Sequence, residues 1–254
     1  MNEKQILKKL RNDKDYYGDF GKKYLSNSDI EALTTEPRQF KAPKKDSKAF
    51  VEGRYFHQLI LEPEKAKDFP IVDTSTRSTK IYKEYIADNK IDYALVTSDA
   101  EHIKDMVNYT QSNLKFFELI NEPKAEYEVP GVAEIMGVMW KGKADIVTEN
   151  YVIDLKTSGD VFKFQRNAPF YNYHTQAYVY QILFGKPVVF LVTGKTKKYD
   201  INNKSYYDLG IFTVGQDSMG YAEEKVGQAV ASYNKWFAPD SKDNIADYII
   251  NSNI

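Results

Sequence analysis

The sequence predicts an α/β fold with a mixed sheet, an α+β arrangement in which helices cover both faces, and three observations predict it. After about residue 123 the apolar period falls from near 3.6 to near 2, the change from helix to strand. The period-2 segments are joined by pairs of turn-forming residues. Both faces of the expected strands are largely apolar, as in a sheet packed on two sides.

In chain order, Ser28-Asp29-Ile30-Glu31 is a capping box that opens a short helix. Pro37, Pro43 and the surrounding lysines mark a loop. Residues 48–61 read as a helix ended by Glu62-Pro63, and further helices follow at 81–89 and 99–120. Strands are expected at 124–129, 134–140, 143–148 and 151–156. Their corners are Pro130-Gly131, Lys141-Gly142 and Glu149-Asn150. A helix over 168–184 closes at Gly185 before Pro187. Strands at 187–193 and 206–214 and a long helix over 216–237 complete the chain. The expected organisation is one domain over 1–254. It comprises an N-terminal extension (1–23), a helical part carrying His57 (24–123), a sheet core (124–214) and a C-terminal helix and tail (215–254).

Composition narrows the chemistry. The 254 residues contain no cysteine, which excludes disulfides, thiol nucleophiles and cysteine-held metals. The charged N-terminus has no leader-like apolar segment, and the longest apolar run, Val188 to Val192, is too short to cross a bilayer. A cytoplasmic protein without a membrane partner is the expectation. The net charge of −1 points to no polyanionic partner, so any basic surface has to be local. Twenty tyrosines are available for stacking on bases or for boundary packing.

The informative segment is Lys143-Ala144-Asp145-Ile146-Val147 followed by Val152-Ile153-Asp154-Leu155-Lys156. A two-residue turn at Glu149-Asn150 sets Asp145 across from Asp154, and Lys143 across from Lys156. Opposed like charges repel and call for a cation between them. The face with Asp145 and Asp154 is expected to hold Met136, Val138, Trp140, Val147 and Val152. The other face would hold Ile135, Met139, Ala144, Ile146, Ile153 and Leu155. Charges interrupting an apolar face are costly unless paired or used, and a buried Asp–Lys cluster without chemistry is the alternative. Two carboxylates supply the hard oxygens that magnesium takes. Lys156, two residues from Asp154, then orients the attacking water, accepts its proton, or neutralises charge in the transition state.

These residues resemble the PD-(D/E)XK nuclease superfamily: Asp145, then Asp154-Leu155-Lys156 after a short turn, with Ala144 where the motif name has proline. Gln176-Ala177-Tyr178-Val179-Tyr180 matches its Q-x-x-x-Y motif. Gly53-Arg54-Tyr55-Phe56-His57 is similar to the histidine-bearing helix of the RecB-like and RecE-like branches. The segment from Gly53 to Glu64, with Ile153-Asp154-Leu155-Lys156-Thr157-Ser158, resembles phage and prophage relatives of exonuclease VIII.

The resemblance implies a restriction-endonuclease-like core and an Mg²⁺- or Mn²⁺-dependent exodeoxyribonuclease. His57, Asp145, Asp154 and the Leu155 carbonyl would hold the metal. Catalysis would involve Lys156, Asp145 and Asp154, with Gln176 and Tyr180 positioning the scissile phosphate or the lysine. Ser26 and Ser28, at a helix start similar to that of lambda-type exonucleases, and Arg38 would contact DNA. The partners implied are double-stranded DNA, a RecT-like single-strand annealing protein, and further copies of the chain in a ring. Each residue also has a plainer role: His57 as a structural histidine, Gln176 and Tyr180 as boundary packing, Ser28 as an N-cap, and Arg38 as a surface residue. A structure-selective or single-strand endonuclease with the same site, and an inactive DNA-binding or scaffold protein, are the alternative functions.

Overall fold

The computed structural model describes residues 1–250. Its centre is a five-stranded sheet: β1 (Glu126–Ile135), β2 (Val138–Val147), β3 (Val152–Ser158), β4 (Val188–Gly194) and β5 (Leu209–Thr213), adjacent in sequence order. β1, β2 and β3 form an antiparallel meander, β4 runs parallel to β3, and β5 returns antiparallel to β4. The mixed α/β expectation holds.

The five longest helices that frame the sheet are α1 (Asn27–Thr35), α2 (Lys48–Leu61), α3 (Thr97–Ser112), α4 (Tyr173–Phe184) and α5 (Gln216–Trp236). Two apolar clusters lie on opposite sides. Ile146, Ile153, Leu155 and Leu191 pack with Val51 and Phe56 of α2 and Ile103 and Met106 of α3. Trp140, Val152, Phe190 and Val192 pack with Ala177 and Val179 of α4 and Val226 and Ala229 of α5. The central strands β3 and β4 are therefore covered on both faces, which is why charges there need partners.

Several boundaries differ from the expected ones. The meander has three strands, because Pro130-Gly131 and Lys141-Gly142 lie inside β1 and β2. Pro130 is tolerated because β1 is the edge strand of the sheet. The glycines admit α4: a Cβ on Gly142 would stand 2.7 Å from side-chain carbons of Tyr180 and Leu183, and one on Gly131 2.8 Å from the Phe184 ring. The actual corner is Met136-Gly137, with φ of 53° and 78°. Positive φ at both central residues is the two-residue hairpin geometry that matches strand twist. The helix expected over 99–120 is two, divided at Asn113, whose side chain caps Leu114–Ile120. That expected over 168–184 starts at Tyr173, and α1 is capped by Ser26 in a capping box with Asp29 rather than by Ser28.

The register at the key turn is the expected one, with Val147 opposite Val152 and Ile146 opposite Ile153. The backbone ladder ends there, so Asp145 and Asp154 lie just past its last rung. On the other side of β2 the β1 pairing skips Glu128 and Asp145, and Glu128 has a φ of 51°. This double interruption re-aims the side chains of β2. Ala144 joins the α4 and α5 cluster while Ile146 joins the α2 and α3 cluster. Ile135 also lies with Trp140, and Met136 and Met139 are exposed, so the expected division of faces fails there. The edge of β2 left open by its splay from β3 is closed by Leu25, whose amide donates to the Met139 carbonyl at 3.0 Å and whose carbonyl accepts the Lys141 amide at 2.8 Å.

Gly142→Ala is expected to lower unfolding stability by about 1–3 kcal/mol through overpacking against α4. Gly53→Ala, where a Cβ meets nothing within 4 Å in the interior of α2, is expected to raise it by about 0.5–1 kcal/mol. Urea titration of the two variants checks both signs.

Candidate active site

The open ladder puts side chains where backbone partners would be. Asp145 Oδ2 accepts the Leu155 amide at 2.7 Å, so the carboxylate replaces the missing rung. The same oxygen lies 3.3 Å from Nδ1 of His57, one turn along α2 from Gly53. On β3, Asp154 pairs through Oδ1 with the Lys156 ammonium and through Oδ2 with the Gln176 amide nitrogen, which donates to it. Both aspartates are buried, Asp154 at 2 % exposure and Asp145 at 8 %. Lys156 and His57 open onto a cleft of about 920 Å³, also lined by Arg54, Glu128 and Lys143.

Burial acts first on every charge here, and the partners decide the outcome. Burial pushes the Asp145 carboxyl up, but the charge and hydrogen bond of His57, with Lys156 and the Leu155 amide, bring it below its ordinary value. Burial raises Asp154, Lys156 opposes that, and the negative charge of Asp145 adds to it, leaving Asp154 above the usual carboxylate value. Burial lowers Lys156, yet the charges of Asp154 and Asp145 more than reverse this, so the ammonium holds its proton more firmly than a free lysine. His57 behaves alike: burial lowers it and Asp145 raises it above 6.5. The two acids are thus matched by two cations, one each. Lys156 is poorly suited to accept a proton in this state.

Gln176 and Tyr180 occupy one face of α4, as the motif spacing implies, and neither side chain bonds a lysine ammonium. Gln176 holds the Asp154 carboxylate. The Tyr180 hydroxyl donates to the Lys143 carbonyl at 2.9 Å, two residues before Asp145. Lys143 lies in register with Pro130, which has no amide hydrogen to offer. The pair therefore positions the two strands from behind. Lys143 does not face Lys156; its ammonium pairs with Asp13 and lies 3.8 Å from Glu128.

Ser26, Ser28 and Arg38 are not among the residues lining the cleft. Ser26 Oγ donates to Asp29 at 2.7 Å and meets Ser28 Oγ at 3.0 Å, while Arg38 donates to the Tyr248 carbonyl at 2.6 Å. Glu128 and Tyr173, outside the expected site, also line the cleft. Glu128 was hidden by reading Pro130-Gly131 as a corner, although the true register sets it beside Asp145. Burial, then the charge of Asp145, pushes its carboxyl up to about 7. Tyr173, one turn before Gln176, presents its ring 5.0 Å from the Lys156 ammonium.

The donor set suits a hard divalent cation: two buried carboxylates on adjacent strands, with Asp154 Oδ1 held by the Lys156 ammonium. Among the described residues, no three His, Cys, Asp or Glu side chains are gathered into a group able to hold a metal ion. The expected triple of His57, Asp145 and Asp154 is accordingly present as two ion pairs, His57 with Asp145 and Lys156 with Asp154.

A family model described as "PDDEXK-like domain of unknown function (DUF3799)" matches residues 21–246. The chain belongs to this family. Its five-stranded mixed sheet between helices is the restriction-endonuclease-like fold of that family. A crystal structure from Eubacterium rectale described as a "Putative exonuclease" is similar, with a TM-score of 0.58 and 15% identity over 96% of this chain and 95% of that one. An alkaline exonuclease from Laribacter hongkongensis has a TM-score of 0.35 and 9% identity over 82% and 87% of the two chains. A phage-related exonuclease from Haemophilus somnus has a TM-score of 0.31 and 14% identity over 63% and 87%. No curated protein matches the sequence. No helix among the described residues is long and apolar enough to cross a membrane.

The ion pair of His57 and Asp145 has a defined pH signature in metal-free buffer. The raised imidazole contributes fully below its unfolded value of 6.5 and loses that contribution as pH rises through its higher folded value. The lowered carboxyl contributes above its unfolded value of 3.8 and loses that as pH falls through its lower folded value. The stability lost in His57→Ala is therefore expected to be largest at about pH 5.5 and to shrink at about pH 9. Urea unfolding in EDTA at the two pH values checks this.

Proposed function

We propose that this chain is a divalent-cation-dependent deoxyribonuclease that shortens one strand of linear duplex DNA from its end. The observation that carries the proposal is the buried pair Asp145 and Asp154, held on adjacent strands beside Lys156, with Asp145 and Lys156 opening onto the cleft. Membership of the PDDEXK-like family supports the chemistry. The end-directed mode rests on the sequence resemblance to RecE-like exonucleases and agrees with the description of the Eubacterium rectale neighbour.

In this reading Asp145, Asp154, the Leu155 carbonyl and His57 would hold Mg²⁺ or Mn²⁺. Bound there, the cation would stabilise charge on the phosphate and lower the pKa of a bound water. The remaining work falls to the chain. Gln176 keeps the Asp154 carboxylate oriented, and the Leu155 amide does the same for Asp145. Lys156, firmly protonated, serves as a fixed positive charge for the phosphate oxygens as negative charge builds in the transition state. The products would be single-stranded tails, the substrate of a single-strand annealing protein of the RecT type. A ring of several copies would keep the enzyme on its substrate.

End-labelled linear duplex and covalently closed circular DNA, each with Mg²⁺ or Mn²⁺, test the assignment. Linear duplex is expected to be degraded and the closed circle spared. Asp154→Ala is expected to slow degradation by at least about 100-fold. Lys156→Ala is expected to bind DNA as wild type while losing most turnover, because its charge acts on the transition state more than on association. Equal rates for Lys156→Ala and wild type would remove the lysine from the mechanism. Cutting of the closed circle would replace the end-directed mode with an endonucleolytic one.

A further inference from the structure

Between β3 and α4 the chain passes through two short helical turns, Val161–Lys163 and Phe164–Asn167, before Tyr173 opens α4. This connection carries a continuous aromatic series. The rings of Phe164 and Tyr173 stack with centroids 5.1 Å apart and planes at 19°. Tyr171 stacks on Tyr173 at 5.7 Å and 30°, and Phe170 meets Tyr171 edge-on at 5.1 Å and 85°. The series begins at the site, where Tyr173 lies against the Lys156 ammonium, and ends in solvent. Tyr171 is 56 % exposed and Phe170 79 %. Tyr171 and Tyr173 line the same cleft as Asp145 and Lys156.

Core packing accounts for Phe164 and Tyr173, which belong to or pack against the α4 and α5 cluster. It does not account for Phe170 and Tyr171, which have no place in that cluster. The corner between the inner and outer rings is rigid. Asn172 is buried in the left-handed region at φ 57°, unusual for a residue other than glycine. Its amide nitrogen donates to Glu31 at 2.9 Å, and its carbonyl accepts Asn27 at 3.2 Å and Thr175 at 2.9 Å. Through Asn172, contacts to α1 and α4 fix the position from which Tyr171 and Phe170 project.

A nucleobase is a flat ring whose faces stack on aromatic side chains with little regard to sequence. We propose that Phe170 and Tyr171 form a stacking platform for an unpaired nucleobase, so that the strand reaching Asp145 and Asp154 enters the cleft single-stranded. The proposal rests on the nuclease reading of the cleft and deepens it by naming what the cleft mouth recognises. Arg166, exposed on the same connection, supplies a positive charge for a neighbouring phosphate. Frayed duplex ends would then be preferred over blunt, fully paired ends, with weak sequence preference.

A single-stranded oligodeoxynucleotide containing 2-aminopurine, whose fluorescence falls when it stacks, tests the platform in EDTA. Wild type is expected to quench it. The double variant Phe170→Ala/Tyr171→Ala is expected to bind about ten-fold or more weakly and to lose the quench. Tyr171→Phe, which keeps the ring, is expected to behave as wild type, and Phe170→Ala alone to weaken binding several-fold. Both outer rings are exposed, so the melting temperature should not move. Equal affinity and equal quenching in the double variant would overturn the platform. Degradation of end-labelled linear duplex on adding Mg²⁺ or Mn²⁺ reads the nuclease assignment separately. Binding and quenching of the oligonucleotide with the linear duplex left intact would overturn that assignment and leave the platform standing.

Discussion

The site depends on one hydrogen bond, from the Leu155 amide to the Asp145 carboxylate. Between β2 and β3 the backbone ladder stops at Ile146 and Ile153, and a buried amide past that point needs another acceptor. Asp145 provides it at 2.7 Å. A carboxylate is thereby drawn into the sheet interior, where its charge is tolerable only beside cations. Regular pairing through this point would satisfy the amide by backbone and leave Asp145 to stand off one face. The interruption in β1 at Glu128, with its left-handed backbone, belongs to the same distortion.

From that constraint the rest of the electrostatics follows. One aspartate is paid for by a histidine from α2, the other by a lysine from its own strand. Neither pair is surface decoration, since both acids are nearly inaccessible. A buried pair gains little net stability over apolar packing, whereas removal of one partner strands a charge. His57, Asp145 and Lys156 open onto the cleft, which makes the cluster a candidate functional site. α4 completes the arrangement from behind: Gln176 grips Asp154, Tyr180 the backbone near Asp145, and Gly142 lets the helix close enough for both.

How much of this was legible follows from what each signal encodes. The pairing of Val147 with Val152 and of Ile146 with Ile153, which brings Asp145 and Asp154 onto neighbouring strands, could be read because a two-residue turn and a period of 2 determine register by counting. The splay that makes the pair useful could not, because it depends on which rungs form rather than on which residues oppose. Pro130-Gly131 and Lys141-Gly142 carry turn chemistry, yet they serve an edge strand and a close helix contact, roles that only the packed helix reveals. That misreading concealed Glu128 as well. His57, Gln176 and Tyr180 were recognisable through motif resemblance, but their protein partners were not: Gln176 holds a carboxylate and Tyr180 a backbone carbonyl. Ser26 and Ser28 show the limit of local signals, since capping hydroxyls and anion-binding hydroxyls have the same sequence signature.

Calorimetric titration of Mn²⁺ into wild type, Asp145→Asn and Asp154→Asn tests most directly whether the two carboxylates act as one cation site. Wild type is expected to bind, and either single substitution to abolish binding while the fold, followed by circular dichroism, persists. Wild-type affinity in either variant would contradict a shared site and with it the account of the open ladder.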